Sequence, residues 1–454
     1  MDKEYKDNIE LFERMPVPKA VMTMAVPTIV AQLIILIYNM ADTFFIGRTD
    51  NPFMVAGASL ILPIFNVTIA VANIAGVGGG TLVARLLGQR QGEEARRVAS
   101  FSLRFSALGG LLFALLTAVF MRPLLLALGA SEETFAYARQ YAFCVIVIGA
   151  TPTVLGMTMG NLLRNVGCAR QAGFGVSMGG VINILLDPLF MFVLLPRGNE
   201  ILGAGIATAL SNCISCVYFL VVIARLKSPV LTLSQRVGMP TKAHLGSFFA
   251  VGLPAASGPF LFDLDYIVID RLMASYSDMA LAAIGIVLKV ERLPLNTGIG
   301  LCLGMVPLAA YNYSAGNLRR MDDIVRFARR AGIAVALVSI ALYEIFAPEL
   351  IRVFLNDAVT VGYGAQFLRI RAPATIVMFL CFIYVHFFQA VGHGGKALLL
   401  VVARWAVVNI PMLFLLNHFL GMIGIVWSQL VSDSLMAFVS LLYYQRFRRQ
   451  TVLR

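Results

Sequence analysis

The residues of this chain that could do chemistry are acids and amides set inside long apolar runs. Asp42 lies near the end of a run at 17–47, and Asn183 and Asp187 stand four apart in a run at 171–195. An ionised group within hydrocarbon costs several kcal/mol, so an acid in such a run marks either a partnered group or a working site. On an ideal helix, with each residue turning ~100°, Thr28, Gln32, Tyr38, Asn39, Asp42 and Thr43 fall within an arc of roughly 140°. That stripe should face protein or water and not lipid. Tyr38 and Asp42 have the same i, i+4 spacing as Asn183 and Asp187, so each pair projects from one helix face. Pro188 removes a backbone donor and leaves the carbonyl of Ile184 as a further free oxygen. Carboxylate, amide, hydroxyl and carbonyl oxygens together suit a hard cation, such as Na⁺ at Asp42, Asn183 and Asp187, or a transferable proton. A carboxyl in apolar surroundings favours its neutral form, which would let Asp42 or Asp187 hold that proton. Simple hydrogen-bonded bridging between helices is the other reading of the same spacing.

A second group of ionisable residues follows in the second half of the chain. Asp263 and Asp270 share one face of the run at 243–273, and Asp265 points elsewhere. Lys289, Glu291 and Arg292 in the next run balance these acids in a buried ion-pair network, or else line a cation-attracting wall. His386 and His393 are too isolated for a metal site. The six cysteines have no metal-ligand spacing, and Cys213 and Cys216, one turn apart, read as packing residues. Gln32, Asn39, Asp263, Asp270, Met305 and His386 are candidates to line a substrate cavity. Aromatic and methionine walls suit cationic, partly apolar compounds of varied shape.

The elements that must position these groups are transmembrane helices. The sequence is 59% hydrophobic and 13% charged, and its mean hydropathy is +0.82. A helix of about 20 apolar residues crosses the hydrocarbon and satisfies its own backbone groups while doing so. Twelve such runs are expected, at 17–47, 54–84, 99–121, 136–163, 171–195, 201–225, 243–273, 279–312, 330–347, 365–391, 397–419 and 421–445. The first six repeat in the second six. LRNVG at 163–167 is answered by FQAVG at 388–392, Asn183-Ile184 by Asn409-Ile410, Pro27 by Pro254, Asp42 by Asp270, and Gly205-Ile206 by Gly424-Ile425. Six is even, so the repeat is parallel, as in transporters built from two lobes around a substrate path. The expected division is a six-helix lobe at 1–228, a cytoplasmic linker at 229–242 and a second six-helix lobe at 243–454.

Charge sets the expected orientation. Most of the 36 Lys and Arg lie at the termini and in alternate loops, among them Arg90, Arg96, Arg97, Arg319, Arg320, Arg326, Arg446 and Arg448. The opposite loops hold Arg48, Arg122, Arg197, Arg271 and Arg352. The positive-inside rule then puts both termini in the cytoplasm. The net charge of +12 is a topology signal and not a nucleic-acid one, because the basic residues are scattered among loops. The opening MDKEYKDNIELFERM mixes acids and bases without an apolar core, so no cleavable signal is expected there.

The first-run segment from Pro27 and Gln32 to YNMADTFFIG at 38–47, with NILLDP at 183–188 and GAGIAT at 203–208, resembles the multidrug and toxic compound extrusion (MATE) family. The likeness is to its prokaryotic branch with the coupling acid on the first helix. It covers nearly the whole chain. The resemblance implies an all-α membrane protein of twelve helices in two lobes, and an antiporter exporting cationic amphipathic compounds for H⁺ or Na⁺ by alternating access. It also implies a cation site of Tyr38, Asp42, Asn183, Asp187 and Thr208. No catalytic residue, bound cofactor, nucleic acid or second subunit is implied, and the expected location is a multi-pass position in a bacterial or archaeal cytoplasmic membrane. Other members place an acid on the tenth helix, where this chain has none between Arg369 and Gly392. A flippase for a lipid-linked saccharide, from the same superfamily, is the alternative; it needs basic residues for a diphosphate, and Arg369, Arg371 and Arg404 are available. An intramembrane enzyme would need acids clustered at metal spacing near the membrane surface.

Overall fold

The computed structural model describes residues 10–49, 51–226, 228–233 and 237–452. Arg236 of the expected linker, Lys227 just before it, and residues 1–9 lie outside the described residues. The described residues form helices and no strand. Twelve spans follow in order: α1 (Val17–Gly47), α2 (Pro52–Gly88), α3 (Gly92–Val119), α4 (Glu132–Ile148 and Ala150–Asn165, bent by 47°), α5 (Ala169–Leu194), α6 (Glu200–Arg225), α7 (Lys242–Ala274), α8 (Asp278–Ser314), α9 (Leu318–Arg352), α10 (Ala358–Arg371 and Ala374–Ala390, bent by 50°), α11 (Gly394–Leu420) and α12 (Met422–Thr451). The twelve expected runs therefore reappear, two of them as bent pairs.

The spans are packed for lipid and not for water. On α3 the small and polar residues Ser102, Ser106, Gly110, Ala114 and Thr117 face inward, whereas Leu108, Leu111, Leu112 and Leu115 are exposed. In hydrocarbon, exposing leucine costs nothing, and helix association relies on close contact between small residues. Short π-helical turns interrupt four of the spans, at Ile74–Gly78, Phe143–Ile148, Leu189–Leu194 and Ala403–Asn409. Such turns re-aim the side chains beside them.

The described residues pack into two compact units, one built on Val30–Ala256 and the other on Met15–Ile29 with Ser257–Arg454. The changeover lies inside α1, just past Pro27, and inside α7, just past Pro254. Local packing explains it. A Cβ on Gly300 or Gly304 of α8 would stand 2.6 Å from Ile29 Cα and 2.5 Å from Ala25 Cα, so only glycine lets the first half of α1 lie against α8. In the other unit, a Cβ on Gly78 would meet the Phe248 carbonyl oxygen at 2.5 Å, and one on Gly252 the Ile74 oxygen at 2.6 Å. The first half of α7 thus lies on the π turn of α2.

Candidate functional site

In the first unit four helices bring polar groups together. Gly180 lets α5 approach α1 closely, since a Cβ there would stand 2.8 Å from Ile34 Cγ2 and 3.3 Å from Tyr38 Cδ1. One turn further along α5, Asn183 and Asp187 are buried, at 2% and 0% exposure. The amide of Asn183 donates to Asp187 Oδ1 and to Thr208 Oγ1 of α6, both at 3.3 Å. Tyr141 of α4 donates its hydroxyl to Asp42 Oδ2 at 3.4 Å. The Tyr38 phenol lies within the electrostatic reach of both Asp42 and Asp187, and the two carboxyls are within reach of each other. Three buried acceptors are left open: Asp42 Oδ1, Asn183 Oδ1 and Asp187 Oδ2. Open buried oxygens of this kind call for a proton or a cation.

The structure thus gathers Tyr38, Asp42, Asn183, Asp187 and Thr208 in one unit. It adds Tyr141, which no spacing in the sequence singled out. The rest of the first-helix stripe is dispersed. Thr28 falls in the other unit and donates to its own helix at Met24 O, Gln32 is half-buried, and Asn39 and Thr43 are exposed.

The second unit corrects the expected charge pairing. Glu291 does not balance the seventh-helix acids through its neighbours in sequence; its carboxylate accepts two 2.8 Å bonds from Arg371 of α10. Lys289 is exposed, and Arg292 sits over the Tyr266 ring at 5.7 Å. Arg404 of α11 makes a bidentate pair with Asp433 of α12 at 2.7 and 2.9 Å. Gln429 links the two pairs, donating to Asp433 Oδ2 at 2.7 Å and accepting from Arg371 at 3.4 Å. Asp270 is exposed and Asp263 half-buried, while Asp265, between them, is fully buried and accepts a 2.6 Å bond from the Asn409 amide. The helix face shared by Asp263 and Asp270 is therefore not the one turned to the core. Met305 is completely buried. His386 is partly buried, with Nδ1 2.8 Å from its own helix at Phe382 O. Of the arginines a diphosphate would need, Arg371 and Arg404 are neutralised by carboxylates, and Arg369 lies 3.9 Å from Glu344.

Twelve apolar spans in two sequence-related sets of six, with ionisable groups buried inside each unit, define a polytopic helical membrane protein with internal duplication. Comparison with known proteins gives the family: the MatE pattern matches residues 27–189 and again 254–415, and the chain belongs to the MatE family. The multidrug export protein MepA of Staphylococcus haemolyticus (strain JCSC1435) is 31% identical over 443 residues, covering 97% of this chain and 96% of that protein. MepA of Staphylococcus saprophyticus is 30% identical, covering 96% and 95%. A solved structure of a MATE in the straight conformation superposes with a TM-score of 0.92 over 98% of this chain and 99% of its own, at 22% identity. An outward-facing multidrug resistance MATE transporter of the MOP superfamily does so with 0.92 over the same shares, at 23% identity. These structural likenesses bear on the fold.

Proposed function

We propose that this chain is a multidrug efflux transporter that exports cationic, amphipathic compounds in exchange for H⁺ or Na⁺ by alternating access. It works from the cytoplasmic membrane with both termini inside. The reading is carried by the three open oxygens of Asp42, Asn183 and Asp187, buried in one unit beside Tyr38 and Tyr141. Its relatives named as multidrug export proteins support the substrate class.

A cation or proton arriving from outside neutralises one carboxylate of the Asp42–Asp187 pair, relieves the repulsion between the two and draws α1 toward α5 at the Gly180 contact. That repacking of α1 weakens substrate binding, and the substrate leaves outward. One charge crossing ~100 mV contributes about 2.3 kcal/mol. At about 1.4 kcal/mol per tenfold, a single coupling cation sustains roughly a 50-fold gradient of a neutral compound. No nucleotide is needed, and the sequence has no GxxxxGK[ST] loop.

The test is dye efflux from proteoliposomes under separately imposed pH and Na⁺ gradients, comparing the wild type with Asp42→Asn and Asp187→Asn. Coupling should be lost in Asp42→Asn with the protein still folded and inserted. Gradient-driven export at the wild-type rate in that variant would remove Asp42 from the mechanism.

A further inference from the structure

We infer that the lipid-facing side of α3 carries a site for one anionic phospholipid, with Arg104 on the headgroup phosphate and a groove beside it for an acyl chain. Phe101, Phe105, Leu108, Gly109 and Leu112 stand at i, i+4, i+7, i+8 and i+11, so they share one face of the helix. They line a groove of about 340 Å³. Leu108 and Leu112 are exposed, at 67% and 59%, and Gly109 leaves a dip between them because it has no side chain to fill it. The rings of Phe101 and Phe105 are backed by Phe248 of α7, with centroids 5.2 and 5.8 Å from its own.

Arg104 belongs to the same stripe and lines the groove with them. No charged residue follows it on α3, and the apolar stretch 105–119 rises about 22 Å. Arg104 therefore stands where the hydrocarbon ends and the phosphates begin. Its guanidinium is held on one side only. Nε donates to Ser100 O at 3.3 Å, and Nη2 donates to the carbonyls of Val237 and Gly238 at 3.0 and 3.4 Å. Carbonyl oxygens fix its direction and leave its full positive charge in place.

The carboxylates of α3 are engaged elsewhere. Glu93 lies 3.8 Å from Arg96, and Glu94 accepts from Arg97 at 2.7 Å, with His244 Nδ1 3.1 Å from its other oxygen. Among the described residues Arg104 makes no ion pair, and its Nη1 makes no hydrogen bond. A fixed cation with two open N–H groups at one end of an apolar groove matches a phosphodiester anion joined to an acyl chain. Phosphatidylethanolamine brings its own ammonium to the same place, so the site favours a lipid of net negative charge. Met239, 58% exposed, also lines the groove. A phosphate on Nη1 thus shares one guanidinium with the segment that joins the two repeats, and holds that segment on α3.

Assignment to the cytoplasmic leaflet rests on the orientation proposed above; the binding itself rests neither on that nor on antiport. The test is native mass spectrometry of the full chain in detergent micelles, titrated with dioleoylphosphatidylglycerol and dioleoylphosphatidylethanolamine, which have the same acyl chains. The wild type should hold the first about fivefold more tightly, the worth of one arginine at the membrane surface. Arg104→Gln should erase that preference. Leu108→Ala/Leu112→Ala, which truncates two exposed side chains, should weaken both lipids together and leave their ratio unchanged. Glycerol 3-phosphate, a headgroup phosphate without acyl chains, should not displace the bound lipid. Equal retention of the two lipids by the wild type overturns the proposal with no variant needed. An undiminished preference in Arg104→Gln does so as well, and where that variant fails to fold, lipid binding unchanged by Leu108→Ala/Leu112→Ala has the same force. Displacement by glycerol 3-phosphate leaves a phosphate site without a lipid and likewise overturns it.

Discussion

The Arg404–Asp433 pair allows a sharp test of how charge is held inside the second unit. Both side chains are almost wholly enclosed, at 4% and 2% exposure, and joined by two bonds of 2.7 and 2.9 Å. The guanidinium also rests 4.4 Å from the Trp405 ring and 4.8 Å from Phe382. Breaking such a pair from one side costs about 3–5 kcal/mol, because the survivor is a buried charge without a counter-charge. The two sides are not equal. Asp433→Leu strands a guanidinium that cannot give up its proton and also deprives Gln429 of its 2.7 Å acceptor, so it should cost about 4–5 kcal/mol. Arg404→Met leaves a carboxyl that keeps the Gln429 bond and can take up a proton, so its cost should be about 2–3 kcal/mol. The double change leaves only the Gln429 amide unmatched. It should be less destabilising than Asp433→Leu alone, with a coupling energy above about 2 kcal/mol. Equilibrium unfolding in mixed detergent micelles, run as a double-mutant cycle, measures all three. Additive costs, or Arg404→Met costing as much as Asp433→Leu, would refute the reasoning.

Three further outcomes follow from the first unit and the loops. Gly180→Val brings methyl groups against Ile34 and Tyr38 and should destabilise by about 1–3 kcal/mol while depressing dye efflux further than the stability loss explains; unchanged efflux would detach the α1–α5 contact from transport. Thr208→Val removes the second acceptor of the Asn183 amide, and should weaken coupling about 5- to 10-fold, the worth of one buried hydrogen bond, without loss of folded protein in size-exclusion profiles. Asp357→Ala deletes the cap whose carboxylate accepts from the Thr360 backbone at 2.9 Å and from its hydroxyl at 2.8 Å, and should lower stability by about 1 kcal/mol in the same unfolding assay, with efflux retained.

Much of the architecture can be read in the sequence because the bilayer imposes one rule everywhere: a spanning segment must be long, apolar and helical. The runs at 17–47 and 201–225 needed nothing more. Asp42, Asn183 and Asp187 stand out as acids and an amide inside apolar runs, whereas Thr208 joins them only through the resemblance to the MATE family. Tyr141 gave no such signal, since a tyrosine in a span is ordinary. The second unit was harder for a different reason. Periodicity relates Asp263 to Asp270 on one face, but which face turns inward depends on what α7 packs against, and that is set by helices far away in sequence. Arg404 and Asp433 were visible as opposite charges within neighbouring spans. Their pairing across 29 positions depends on which faces of α11 and α12 meet, and spacing alone does not fix that.

The division of α1 between the two units has a consequence for biogenesis. Ala20, Val21, Met24 and Ala25 leave the ribosome early, and all are fully covered in the finished protein. Gly304, which Ala25 rests against, is synthesised only after more than half of the chain has been threaded into the bilayer. Until then that stretch must wait in lipid without this neighbour, so the α1–α8 contact can close only once α8 has been made.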